Sequence, residues 1–149
     1  MLSLNLPPYA AKISSHEGKS TIFDPLRRRY VALTPEEWVR QHFVHFLLSQ
    51  KGYPPTLMAN EVQIQLNNTR KRCDTVLYRR DLTPRMIIEY KAPDVAITQK
   101  VFDQITRYNM ALHADYLIVS NGLEHYCCYM SYKSYSYTFL QDIPHYTEL

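Results

Sequence analysis

Glycine is scarce in this chain: three residues in 149, and no Gly-x-x-x-x-Gly-Lys-Ser/Thr loop among them. That loop cradles the phosphates of a nucleoside triphosphate, so its absence excludes a P-loop motor within these residues. Cysteine is equally rare. Three cysteines, an odd number with two adjacent, argue against a secreted disulfide framework and against a zinc finger. A reducing cytoplasm is the compartment this usage predicts. No apolar run approaches the roughly eighteen residues of a membrane span, and Met1–Pro8 is too short for the apolar region of a signal peptide. Neither sign of charge dominates: 17 basic against 14 acidic residues leave a net +3. Nucleic acid is compatible with that balance but not singled out by it. No internal repeat or low-complexity stretch interrupts the chain.

What is present is an ordinary globular composition, 46% hydrophobic and 21% charged, in a length that suits one domain with a real core. The expected organisation is a single domain over 1–149, with an N-terminal arm at 1–33, a core at 34–140 and a loose tail at 141–149. In the arm, short strands are expected at Ser20–Phe23 and Arg29–Leu33. Arg27-Arg28-Arg29 is either a solvated face or a phosphate-contacting patch.

The core is organised around Arg72–Ala92. Two apolar runs, Cys73–Tyr78 and Met86–Tyr90, flank a loop ending in Pro84, which should stay out of the ladder. Alternation puts Asp74, Val76 and Tyr78 on one face of the first strand, and Ile87, Glu89 and Lys91 on one face of the second. Strands lie roughly 5 Å apart, so two carboxylates and an ammonium can converge. Charges set in apolar strands cost several kcal/mol, on the order of a buried ion's penalty, unless paired or metal-bound. A divalent metal site with a lysine beside it explains the cluster most simply.

Around this hairpin, Thr34-Pro35-Glu36-Glu37 opens a helix that runs to about Gln50 and stops at Gly52. Its stripe of Val39, Phe43, Phe46 and Leu47 must face the sheet, and Glu36 lies on that side. Glu36 is therefore either an ordinary helix-start acid or one that reaches the metal site. A strand follows at Asn60–Leu66, Asn67-Asn68-Thr69 turns the chain, and a basic loop, Arg70-Lys71-Arg72, brings positive charge beside Asp74. After Pro93 a second helix is expected from near Thr98 to Leu112, with a stripe of Ile97, Val101, Ile105, Tyr108 and Leu112. Gln104 and Tyr108, four apart, share a face near that stripe. Asp115–Ser120 reads as a buried strand. Asn121-Gly122 marks a hairpin into Leu123–Met130, and Tyr135–Leu140 is the last strand. The order is α/β: a central mixed sheet flanked by helices.

With these residues in view, the chain resembles the PD-(D/E)xK nuclease superfamily, whose core is αβββαβ, here followed by an extra C-terminal hairpin. Its motif is Asp74 … Glu89-Tyr90-Lys91, preceded by Cys73 instead of the proline of the superfamily's name. The closer resemblance is to the N-terminal nuclease domain of type I restriction enzyme R (motor) subunits. It rests on Thr34-Pro35-Glu36-Glu37-Trp38-Val39-Arg40-Gln41, Arg72-Cys73-Asp74, Ile88-Glu89-Tyr90-Lys91-Ala92-Pro93 and the QxxxY element Gln104-Ile105-Thr106-Arg107-Tyr108, and covers roughly Phe23 to Leu140.

The resemblance implies a Mg2+-dependent DNA endonuclease, with Mn2+ able to substitute. Asp74, Glu89 and the Tyr90 carbonyl would hold the cation, Lys91 would handle the attacking water, and Glu36 would act on the metal indirectly or on a second one. Gln104 and Tyr108 would position the DNA, and Arg70, Lys71 and Arg72 suit its backbone. The implied partners are DNA and the motor, specificity or methyltransferase subunits of a restriction system. Two competing readings are a catalytically inactive nucleic-acid-binding or assembly module with the same fold, and a structural domain that merely pairs Lys91 with the two acids.

Overall fold

The computed structural model describes residues 2–66 and 68–149. The arm forms a three-stranded antiparallel meander of β1 (Ile13–His16), β2 (Lys19–Asp24) and β3 (Arg29–Ala32). Its first strand has no counterpart in the sequence reading, because all four of its residues are exposed and carry no apolar alternation.

Helix α1 (Pro35–Gln50) starts as expected. The Thr34 hydroxyl accepts the Glu37 N–H at 3.1 Å, Pro35 occupies the first turn, and the chain leaves the helix through Gly52 at φ +71°. A side chain at Gly52 would meet the His145 ring at 2.8 Å, so the position is closed to larger residues by contact as well as by backbone.

Then come β4 (Met58–Leu66), β5 (Thr69–Tyr78), β6 (Pro84–Tyr90), α2 (Gln99–Met110), β7 (Tyr116–Ser120), β8 (His125–Ser131) and β9 (Ser136–Leu140). They make one six-stranded sheet in the order β4-β5-β6-β7-β8-β9. Among the described residues only β6–β7 is parallel, joined by α2 as a crossover, so the sheet is mixed. The order from α1 to β7 is αβββαβ, with β8–β9 added at the edge, as the sequence predicts.

The two helices cover opposite faces. Val39, Phe43 and Leu47 of α1 pack with Leu77, Ile88 and Ile118. Phe102 of α2 packs with Val76, Ile87, Leu117 and Val119, the alternate residues of the same strands.

Several boundaries differ from expectation. Pro84 is the first residue of β6 and pairs with Tyr78, a place where a missing N–H costs no ladder bond. Arg70, Lys71 and Arg72 are not a loop but part of β5, paired with Gln65, Ile64 and Gln63. The turn expected at Asn67 lies outside the described residues. On α2 the buried residues are Phe102, Thr106 and Asn109, one step round from the expected stripe, with the Phe102 ring packed against Tyr126 of β8 and Tyr137 and Phe139 of β9.

The Asn121-Gly122 signal does join β7 to β8, but through a longer loop in which the Asn121 side chain accepts the N–H groups of Leu123 and Glu124. The C-terminal segment is no loose tail. Ile143, Tyr146 and Leu149 pack on the α1-side core, Tyr53 donates to the Pro144 carbonyl at 3.0 Å, and the Tyr146 N–H bonds Lys51 O at 2.8 Å.

Candidate active site

Asp74 sits where the ladder opens. The β4–β5 register passes from Asn60–Thr75 to Val62–Cys73, leaving Glu61 and Asp74 facing each other without a ladder pairing. The β5–β6 register stops at Thr75–Ile88, just short of Asp74 and Glu89. Glu61 takes a left-handed backbone, φ +54°, a conformation that costs a non-glycine residue about 1 to 3 kcal/mol. Side chains of Cys73 and Val76 consequently reach the same α2-side core, which regular alternation forbids.

Substitute bonds fill the opening. The Tyr90 N–H donates to Asp74 Oδ2 at 2.8 Å, and Arg40 Nη1 donates to the Asp74 carbonyl at 2.6 Å. Asp74 is thus tied to β6 by its side chain and to α1 by its backbone.

Glu89 faces Asp74 within hydrogen-bonding reach. Burial, the Asp74 charge and that hydrogen bond push the Glu89 carboxyl up to about 9, against an opposing pull from Lys91 and Asn109. Glu89 Oε1 is buried with no partner, and so is Asn109 Oδ1. Among the described residues Lys91 forms no salt bridge with either acid. The structural reading that would pair it with them is therefore not what the fold builds. Two acids and an orphaned acceptor make a locus short of positive charge, which a hard cation with oxygen ligands would supply. No third His, Cys, Asp or Glu joins the pair among the described residues, so main-chain carbonyl and water would complete such a shell.

A cleft of about 260 Å3 opens onto Glu89 and is lined by Arg72, Gln104, Ile105, Tyr108 and Asn109. Gln104 and Tyr108 thus share a cleft with the acid, as their spacing on one helix face suggested. Both are exposed. The Lys71 ammonium lies 3.6 Å from the centre of the Tyr108 ring, a close cation–π contact. Arg72 extends from the opposite wall, 70% exposed, and pairs with Glu61 at 2.6 Å, while Arg70 is exposed further along β5. A larger groove of about 720 Å3, bounded by the C-terminal segment and β9, holds none of these residues.

Glu36 is displaced from expectation. It is exposed, and Glu37 is the residue of that turn that is buried. The buried face of α1 includes Glu37, Arg40, Gln41 and Val44 beside the apolar stripe, so the helix is rotated toward its polar flank. Glu37 nonetheless does not reach the acids: its carboxylate accepts from Arg27 at 2.8 Å, Arg40 at 3.0 Å and Gln41 at 2.9 Å. Arg27 also pairs with buried Asp24, which places it inside the protein and not on a phosphate-facing patch.

Three residues near the site were not anticipated: Arg40, Glu61 and Asn109. Arg40 had a visible signal, since it lies three residues after Glu37 on the same helix side.

No helix is long and apolar enough to cross a membrane among the described residues. The sequence matches the family model described as "Type I restriction enzyme R protein N terminus (HSDR_N)" over residues 35–144. No curated protein matches. Among solved structures, a fragment described as an HsdR subunit of a type I restriction enzyme from Vibrio vulnificus YJ016 aligns with a TM-score of 0.50 at 19% identity. The alignment covers 75% of this chain and 24% of that one, so the chain spans less than a third of its solved relative's length. At that identity the likeness is one of fold.

Proposed function

The chain belongs to the family of type I restriction enzyme R protein N termini, and we propose that Asp74, Glu89 and Lys91 form the phosphodiester-hydrolysing centre of a Mg2+-dependent DNA nuclease of the PD-(D/E)xK kind. The observation that carries this is the acid pair itself, half-buried and facing one another, with one buried carboxylate oxygen unpartnered and Lys91 uncommitted to either acid.

Mg2+, or Mn2+ in its place, would be held by Asp74, Glu89 and the Tyr90 carbonyl, and when bound supplies Lewis-acid polarisation of a phosphate oxygen. The rest falls to the protein's own groups. In the metal-free site Glu89 holds its proton beside Asp74 and would release it for both carboxylates to hold a cation, so the site discriminates between its loaded and unloaded states. Lys91 follows Glu89 by two residues, one past the end of β6, with its backbone N–H held by Ser120 O at 2.8 Å. From there its ammonium orients the attacking water and offsets charge building on the phosphate. Gln104 and Tyr108 hold the strand near the cut, and Arg70, Lys71 and Arg72 contact its phosphates. Glu36, exposed in the first turn of α1, has no part in this reading.

A net charge of +3 predicts weak, salt-sensitive DNA binding without sequence preference. Targeting then comes from the motor, specificity or methyltransferase subunits of a restriction assembly.

The test is nicking of a supercoiled plasmid by the purified chain with Mg2+ or Mn2+, beside metal-binding calorimetry. Metal binding and nicking that are both lost in Asp74→Ala support the reading. A parent that neither binds Mn2+ nor nicks overturns it in favour of a binding or assembly module.

A further inference from the structure

We propose that Arg40 is a positioning residue that sets two walls of the site with separate arms of one guanidinium. Its catalytic consequence rests on the nuclease reading; its geometry does not. Arg40 is 7% exposed. Its Nε meets Glu37 at 3.0 Å, Nη1 the Asp74 carbonyl at 2.6 Å, and Nη2 the Glu61 carboxylate at 2.6 Å. Glu61 in turn holds Arg72 at the cleft rim, at 2.8 Å through Nε.

Neutralising Glu37 does not account for this arrangement, because Arg27 already reaches that carboxylate at 2.8 Å. The Nη1 arm goes instead to a backbone carbonyl at the register skip, that of Asp74. A buried carbonyl without a partner is costly, and here its partner comes from a helix rather than the neighbouring strand. The bond anchors Asp74 from behind, while the Tyr90 N–H fixes its carboxylate from the front. On the other arm, Glu61 is forced into a left-handed backbone opposite Asp74, and pairs with both Arg40 and Arg72. Burial alone would raise the Glu61 carboxyl, but the two guanidiniums hold it below its ordinary value, so it stays an anion. One α1 side chain therefore sets the acid that would hold metal and the cation that would hold DNA. A planar fork does this from three separate nitrogens held in fixed directions; an ammonium's three donors all leave one nitrogen and do not span the same targets.

Arg40→Lys keeps the charge and removes the fork. Amide hydrogen exchange at Tyr90 reads Asp74's placement without any metal. Its protection should fall about tenfold while Ile88 and Met86 stay protected. Mn2+ affinity by calorimetry should fall about tenfold, the usual cost of losing a group that orients a ligand.

Glu61→Gln cuts the other arm. It should raise the Kd for a short DNA duplex several-fold, leaving Tyr90 protection and Mn2+ affinity at parental values. Unchanged Tyr90 protection and Mn2+ affinity in Arg40→Lys overturn the proposal. So does a loss of protection spread evenly over all amides, which marks a stability effect alone. Loss of Mn2+ affinity in Glu61→Gln overturns the division into two arms. Should Arg40→Lys fail to fold, the double variant Glu37→Leu, Arg40→Leu removes the buried acid with its partner and carries the same measurements. If Tyr90 protection falls as expected but the parent binds no Mn2+, the positioning role stands and the nuclease reading fails.

Discussion

The protein sets two groups of acids on either side of the same strands, one buried and one half-buried, and treats them in opposite ways. On the α1 side, Asp24 and Glu37 are matched by Arg27, Arg40, Gln41 and Asn60, and the Tyr90 hydroxyl, Thr75 and Asn60 extend the chain of hydrogen bonds. On the α2 side, Glu89 faces Asp74 with an unpartnered oxygen, and no salt bridge among the described residues relieves either. Burial works against ionisation in both places. At Asp24, bonds from Asn60 and Arg27 outweigh it and hold the carboxyl below its ordinary value. At Glu89, Asp74 adds to it. A buried acid whose partners are supplied by the fold is structure; one left without them is a place for something the fold does not supply.

The sharpest way to break this contrast is through function. Lys91→Ala should slow plasmid nicking by about 100-fold or more, the range expected when a group handling the attacking water is lost. Its metal affinity should be at least the parent's, since a cation beside two acids has gone. Equal nicking by the two proteins would remove Lys91 from the chemistry.

Stability separates the two regions next. Asp24→Ala leaves Arg27 and Asn60 without their buried acceptor and should destabilise the protein by about 3 to 5 kcal/mol in urea unfolding. Glu89→Gln removes a carboxyl that the fold does not satisfy. It should stabilise the metal-free protein by about 1 kcal/mol while abolishing Mn2+ binding. A comparable loss of stability in both variants would erase the distinction.

The pH dependence should differ in sign as well. Glu89's carboxyl is raised to about 9, so the stability tied to its protonated form is full below the ordinary carboxylate range. That stability drains away as pH rises toward 9 in the metal-free protein. Asp24 is lowered, so its contribution is present above the ordinary range and is lost on acidification. Mg2+ competes with the Glu89 proton, so the rise in Tm on adding Mg2+ should grow between about pH 5 and 9. A metal-induced shift that is flat over that range contradicts the assignment.

The smallest effect is expected from Gln104→Ala. It lines the cleft without touching the acids, and should raise the Kd for duplex DNA a few-fold, about one hydrogen bond's worth. Metal binding should stay as it was.

Most of this architecture was legible in the chain. Thr34-Pro35 starts α1 because a hydroxyl cap and a proline act through local backbone geometry alone. The strands of the central sheet follow from runs of apolar residues, and Gln104 and Tyr108 reach one cleft because four residues bring a helix round to the same face. The exposed β1 and the docked C-terminal segment were not legible, since β1 lacks apolar alternation and Tyr146 finds its place only against Lys51 and Tyr53.

What the sequence by itself determined is the set of chemical groups and the order of elements that carries them: Asp74 and Glu89-Tyr90-Lys91 on adjacent strands, with helices before and after. Those depend on covalent spacing and on the two short periods of helix and strand. Only the tertiary structure decided which acids are neutralised. Glu37, not Glu36, turned inward because the rotation of α1 answers to Arg27 and to the sheet beneath it. Asp74 was singled out because the ladder opens opposite Glu61, and Arg40 closes that opening from a helix 34 positions away in the chain. Charge pairing across such distances is set by packing in three dimensions, and no local pattern encodes it.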